Sequence, residues 1–235
     1  MTTAEGILEK YIEAIGGMDA IKQINTKITE SITTIPGKKT EIKTTSYTKR
    51  PDKAYTLAEM KVLGKNVKSE GGMNGDVVWQ IIPGALGSKK RVLSGKEKEI
   101  RAADMAFDTA AVAWQDYYKG LEIVGEEEVD GKACYKVAFK SMDPDGTDTF
   151  CFFDKETFLI AKIVKDTYIQ EKLAIAEIVL TDYQPAAGVL VPHTLTRTSE
   201  GSEEIVIKVN SIQSNVDIPD DKFELPAKIK SLVKN

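Results

Sequence analysis

One histidine, His193, and two cysteines, Cys134 and Cys151, are all that 235 residues supply of the side chains most used to bind metals and attack substrates. A catalytic triad or a His-based metal site would rest on His193 alone. It follows Pro192 in Val-Leu-Val-Pro-His-Thr-Leu and reads as a half-exposed strand residue. There is no His-Glu-x-x-His and no Gly-x-Ser-x-Gly elbow. Two cysteines are too few for a disulfide framework. The two flank an expected turn, so one cross-strand disulfide stays open, but counting outward from Asp143–Gly146 sets Cys134 opposite about residue 155 rather than Cys151, which favours two buried free thiols.

Long apolar runs are also missing. None approaches the roughly 18–20 residues needed to span a bilayer. Met1 to Lys10 lacks a cationic flank followed by an apolar stretch, so it does not read as a signal peptide. A cytoplasmic protein and a processed exported one both stay open. The net charge of −4 is spread along the chain, and no Lys/Arg cluster stands clear of acids. That argues against a nucleic-acid partner.

What is present is β texture with helical punctuation. Thr2 or Thr3 caps a first helix that carries Ile7, Leu8, Tyr11, Ile12 and Ile15 on one face, ended by Gly16-Gly17. A shorter turn follows, with Met18, Ile21 and Ile24 inward. Strands are expected over 27–35, 39–50, 53–63, 66–73 and 76–82, with turns at Pro36-Gly37, Gly64-Lys65-Asn66 and Pro83-Gly84. Residues 85–95 read as a basic loop. Ser94-Gly95-Lys96-Glu97 matches a capping box before an Ala-rich helical insertion over 96–118, broken near Phe107-Asp108. Seven more strands follow, over 121–129, 132–142, 148–154, 158–167, 171–183, 189–200 and 203–213. The segment from Val216 is Pro-punctuated and is expected to wrap an edge. Short connections imply a single antiparallel meander. The class is α+β, mainly antiparallel β, with about 11–12 strands in one domain spanning 1–235.

Each chemical motif fails at its critical position. Asp143, Asp145, Thr147 and Asp154 imitate a calcium loop, but Asp148 stands where glycine belongs and Asp154 where glutamate belongs. A plain hairpin turn is the better reading. Gly95-Lys96 is followed by Glu97, not Ser or Thr, so there is no P-loop. Lys89, Lys90 and Arg91 read as a solvated loop, with an anionic headgroup or acidic partner as the sharper alternative. Glu126-Glu127-Glu128 reads as a solvated strand end, although paired carboxylates for glycoside hydrolysis stay open. Nothing calls for a cofactor or a metal.

The apolar residues carry more. Met60, Met73, Trp79, Met105, Phe107, Trp114, Tyr117 and Phe139, with Phe150 and Phe152, lie on the strands or the insertion. They make either an ordinary core or the walls of an apolar cavity beneath the insertion, where methionine adapts to varied partners and alanine leaves room.

Several short stretches share an order with a known family. Leu8-Glu9-Lys10-Tyr11-Ile12-Glu13-Ala14-Ile15-Gly16-Gly17 resembles the opening helix of outer-membrane lipoprotein-sorting factors, the LolA/LolB-like superfamily. Lys49-Arg50-Pro51-Asp52-Lys53 is similar to its RPDK strand break, and Asn74-Gly75-Asp76-Val77-Val78-Trp79 to its G-x-x-x-W strand. Val129-Asp130-Gly131-Lys132-Ala133-Cys134-Tyr135 resembles its DG-x-x-x-Y hairpin, Phe153-Asp154-Lys155-Glu156-Thr157 its FD-x-x-T turn, and Asp220 to Pro226 its closing F-x-x-P. The resemblance implies a curved half-barrel whose concave face is covered by the N-terminal helix and the insertion. It implies a non-enzymatic envelope protein, in the periplasm or on the periplasmic face of the outer membrane. Its expected partner is a lipid or an acylated lipoprotein, in sorting or lipid transport. The reading also leaves room for an envelope protein as partner. A structural module with a filled core is the alternative, and a hydrolase with cryptic carboxylates a third.

Overall fold

Thr3 opens the first helix, α1 (Ala4–Ala14), as its N-cap: its Oγ1 accepts the backbone N–H of Gly6 at 3.0 Å. The end is a glycine stop. Gly16 and Gly17 take φ of 122° and 88°, and the Gly17 N–H returns to the carbonyl of Ile12. A second short helix, α2 (Met18–Gln23), follows.

The computed structural model describes residues 2–84 and 87–233. Met1, at the start of the N-terminal segment, and Ala85 and Leu86, at the start of the expected basic loop, lie outside the described residues. The described residues form thirteen strands. The first six are β1 (Thr26–Thr34), β2 (Glu41–Lys49), β3 (Lys53–Val62), β4 (Lys65–Asn74), β5 (Val77–Gly84) and β6 (Gly87–Val92). Helices α3 (Gly95–Met105) and α4 (Trp114–Tyr117) make up the insertion. Then come β7 (Tyr118–Val129), β8 (Lys132–Ser141), β9 (Thr149–Asp154), β10 (Ile160–Ile169), β11 (Lys172–Ala186), β12 (Val189–Ser199) and β13 (Ile205–Ser214). A 3-10 turn (Asp220–Phe223) and a last helical turn, α5 (Ala227–Lys230), close the chain. No helix among the described residues is long and apolar enough to cross a membrane.

The expected class, α+β and mainly antiparallel β, is what the chain forms, with two amendments. The strand count is thirteen because most of the expected basic loop is strand β6, paired with β5 from Trp79↔Val92 to Gly84↔Gly87. Lys89, Lys90 and Arg91 masked it, because cations on an edge strand read as loop. The strands also do not form one meander. Their hydrogen-bonded order is β6-β5-β4-β3-β2-β1-β13-β12-β11-β10-β9-β8-β7, so two meanders run outward from β1 and β13.

Two compact units share the chain. Unit 1 comprises Met1–Gln23 and Asp108–Val206; unit 2 comprises Ile24–Phe107 and Ile207–Asn235. The boundary falls inside the insertion, at the break expected near Phe107-Asp108.

In unit 1, the apolar face of α1 (Ile7, Leu8, Tyr11) packs with Val137, Phe139, Cys151 and Phe153 from β8 and β9. Tyr11 meets Phe153 edge to face at 5.7 Å. Val129, Cys134 and Phe152 form a separate cluster. The register explains the cysteines. Cys134 pairs with Asp154, one residue from the counted partner, while Cys151 pairs with Val137. An odd spacing from 134 to 137 sends the two thiols to opposite faces, so both are free and buried.

In unit 2, the same alternation separates two clusters. Ala54, Met73, Val78 and Leu93 face α3, which lays Ala102 and Met105 on them. Trp79, Ile81 and Tyr55 face the other way and are covered by Leu225 and Ile229 of the C-terminal segment. That segment is tied down by Asp220, which takes both Lys49 and Lys53, at 2.8 and 3.2 Å.

Candidate ligand-binding site

Gly71 and Gly72 sit side by side in β4, and each makes room on one face. A Cβ on Gly72 would lie 2.8 Å from the Trp79 indole, so glycine there lets the ring lie across the strand. A Cβ on Gly71 would lie 3.2 Å from the Met105 Cε, on the α3 side. Beside that methionine is a cavity of about 270 Å³. Its walls are apolar at Ile82, Leu93 and Met105 and polar at Ser69, Gln80 and Arg101. Glu70, Gly71 and Trp79 complete the lining. Every lining residue belongs to unit 2.

Helix α3 is held in position electrostatically. The expected capping box does not form: Ser94 is the N-cap, in extended backbone, but its side chain makes no cap hydrogen bond. Glu97 turns instead to Arg91 on β6 and accepts from both guanidinium nitrogens. A bidentate, charge-assisted pair outcompetes a neutral cap where an arginine is in reach. The pair is largely buried, with Glu97 9% exposed, so it fixes the helix against β6.

The eight candidate residues fall into several settings. Met73 and Met105 come together beneath α3. Trp79 touches the cavity, yet its side chain packs in the cluster with Ile229 and is 2% exposed. Met60 lies in a second, polar groove with Lys39, Lys43 and Lys61. Phe107 is buried between two cations: the Lys27 ammonium lies 4.1 Å from the ring centre and the Arg50 guanidinium 4.2 Å. Trp114 packs on the unit 1 core from α4, and Tyr117 is half-buried on the same short helix. Phe139 is 1% exposed, with Tyr118 edge-on at 5.2 Å.

Sequence reasoning did not single out Ser69, Gln80, Ile82, Leu93 or Arg101. The one local signal was the Gly-Gly pair inside a strand, which marks a close approach of backbone or ligand.

The polar residues weighed for chemistry have structural employment. Asp143 accepts the Asp145 N–H at 3.0 Å and Asp154 the N–H groups of Glu156 and Thr157 at 2.8 and 3.0 Å. Both are turn residues, as the hairpin reading required. Burial opposes ionisation of Asp154, but those two N–H donors and Lys132 hold its carboxyl below the usual range. Glu126 pairs with Lys155, and Glu127 pairs with Lys162 and Lys136. The Lys162 hydrogen bond is the main reason that Glu127 titrates below its ordinary value. His193 Nδ1 lies 2.9 Å from the carbonyl of Val191. Among the described residues, no group of three or more His, Cys, Asp and Glu side chains could hold a metal ion.

This architecture is similar to the fold of LolA superfamily proteins. A LolA superfamily protein from Nitrosomonas europaea superposes with a TM-score of 0.62 over 96% of this chain and 99% of its own, at 16% identity. A DUF1329 family protein from Desulfovibrio piger gives 0.61 over 95% and 98%, at 18% identity. A domain described as an outer membrane lipoprotein-sorting protein, from Vibrio parahaemolyticus, gives 0.59 over 94% and 97%, at 13% identity. At such identities the likeness is one of fold. No family model matches the sequence, and no curated protein matches it.

Proposed function

We propose that this chain is a non-enzymatic binding protein of the bacterial envelope that holds part of a lipid, or of a lipoprotein acyl chain, beneath α3, acting as one LolA-like domain. The observation that carries the proposal is the cavity beside Met105. Its volume of about 270 Å³ lies just under the roughly 300–1,000 Å³ of small-molecule sites, so it suits one end of a chain rather than a whole lipid. Each methylene buried there contributes about 0.8 kcal/mol. Met105, with three rotatable bonds, can follow chains of different shape. The full-length fold likeness supports the envelope setting, since the Vibrio relative is described as a lipoprotein-sorting domain. Of the remaining candidates, Met73 supports the floor through its contact with α3.

The alternative, a module filled by its own side chains, has the packing of unit 1 in its favour, where Phe139 is 1% exposed. Displacement of a fluorescent fatty acid separates the two. Wild type should bind it, and Gly71→Leu, which fills the floor, should weaken binding at least tenfold. Lipid-free protein from an envelope preparation, together with no fatty-acid binding in vitro, would falsify the carrier reading.

A further inference from the structure

Strand alternation decides which polar side chains face the cavity beneath α3. The Met105 Cε lies 3.2 Å from where a Cβ on Gly71 would be, so Gly71 faces α3. Ser69 stands two residues before Gly71, and Gln80 is the cross-strand partner of Gly71 on β5, so both project to that same face. Arg101 stands four residues before Met105, one turn along α3 and on the same side of the helix. A guanidinium, an amide and a hydroxyl therefore converge beside Ile82, Leu93 and Met105.

Among the described residues the lining contains one acid, and it is turned away. Glu70 pairs with Ile81 on the Trp79 side of the strand, where its carboxylate accepts the Tyr55 hydroxyl at 2.9 Å. Glu97 of α3 is held by Arg91. The cavity side thus carries a positive charge and two neutral donors among apolar walls. A few convergent polar groups in an apolar site fix the orientation of what enters it. The uncharged middle of an acyl chain gains nothing from them. A carboxylate matches the planar guanidinium fork with two oxygens, and its remaining lone pairs can accept from Gln80 and Ser69.

We infer that the cavity takes the carboxylate end of a free fatty acid, paired with Arg101 and hydrogen-bonded by Gln80 and Ser69, with the chain running outward past Met105. This end-specificity rests on the reading of the cavity as an acyl-chain site and narrows it. An acyl group already linked to a lipoprotein has no free carboxylate and would bring its methyl end against the arginine. A phosphate monoester also matches the fork, but the volume of about 270 Å³ favours the smaller anion.

The test is calorimetric titration of the full chain with laurate, dodecanol and dodecyl phosphate, which share one chain length. Laurate should bind about 10–100-fold more tightly than dodecanol, the range for hydrogen bonds to a charged group. Arg101→Gln should remove that advantage and leave dodecanol binding unchanged. Arg101→Lys should restore part of it, since it keeps the charge without the fork. Gln80→Leu should weaken laurate alone, by about fivefold. Equal binding of laurate and dodecanol by the wild type overturns the inference and leaves the chain site standing. Binding of neither overturns the chain site as well. Laurate preference that survives Arg101→Gln counts against the inference, and if that variant fails to fold, undiminished laurate binding by Gln80→Leu does the same. Tighter binding of dodecyl phosphate than of laurate would assign the arginine to a phosphate and overturn it too.

Discussion

Replacing Gly72 with alanine should destabilise the protein, whereas the same change at Gly71 should not. The two residues are adjacent, on one strand, and chemically identical, so each controls for the other. At Gly72 the new methyl would lie 2.8 Å from three atoms of the Trp79 indole. That ring is 2% exposed and is held by Tyr55 and Ile229, so it cannot swing away. Overpacking of this kind costs about 1–3 kcal/mol. Removing glycine from a strand returns about 0.5–1 kcal/mol of chain entropy. The net loss is about 0.5–2 kcal/mol, or roughly 1–8 °C in melting temperature for a protein of this size. At Gly71 the methyl would meet the Met105 Cε at 3.2 Å, the free end of a flexible side chain. Met105 can move by a few tenths of an ångström, and the entropy gain then makes Gly71→Ala neutral or slightly stabilising. Urea unfolding followed by circular dichroism measures both. Equal destabilisation by the two variants, or a larger loss at Gly71, would refute the assignment of Trp79 and Met105 to opposite faces of β4.

Asp154→Asn keeps an acceptor for Glu156 and Thr157 but cannot ionise. The folded-state value of Asp154 is depressed, so its stabilisation is present above the unfolded value, near 3.9, and lost as pH falls through the folded one. The variant should therefore lose less stability than wild type between neutral pH and about pH 3, in melts across that range; parallel curves would count against the argument. Burial pushes the Cys151 thiol up to about 12 and raises that of Cys134. Neither should react with a thiol reagent at pH 8 in the folded protein, while both should react in urea; rapid native labelling would contradict the packing on the two sheet faces.

The sequence revealed repeating structure and concealed exceptions to it. The strands from β7 to β13 were legible because alternation and Gly- or Asp-containing turns point the same way. Helix α1 was legible through its cap, its apolar spacing and its glycine stop. Strand β6 was hidden by its lysines, and the β3–β4 turn was read one residue late because Leu63 stands where asparagine is expected. The pairing of β1 beside β13 has no local trace at all, since nothing in either strand names a partner some 180 residues away. The site suffered most from the same blindness. Apolar size chose Trp79, Phe107 and Phe139, which the fold encloses among protein atoms. The cavity lies instead where side chains are small or polar, at Ser69, Gly71 and Gln80, and only the fold shows that α3 leaves space above them.

The interleaving of the two units sets a timetable for synthesis. Unit 2 begins at Ile24 but completes only with its second segment from Ile207, after the whole intervening part of unit 1 has been made. At about 5–20 residues per second, strand β1 waits about 10–40 s for β13 to be synthesised. During that interval one side of β1 is an open edge, available to any other nascent strand. Its sequence suits the wait: Lys27 and Glu30 place opposite charges on a threonine-rich strand, which discourages pairing with a stranger. Helix α1 waits likewise for β8 and β9. A ribosome pause or a truncation before Ile205 would leave both units unfinished together, so the chain should appear in the cell either complete or as a target for proteases.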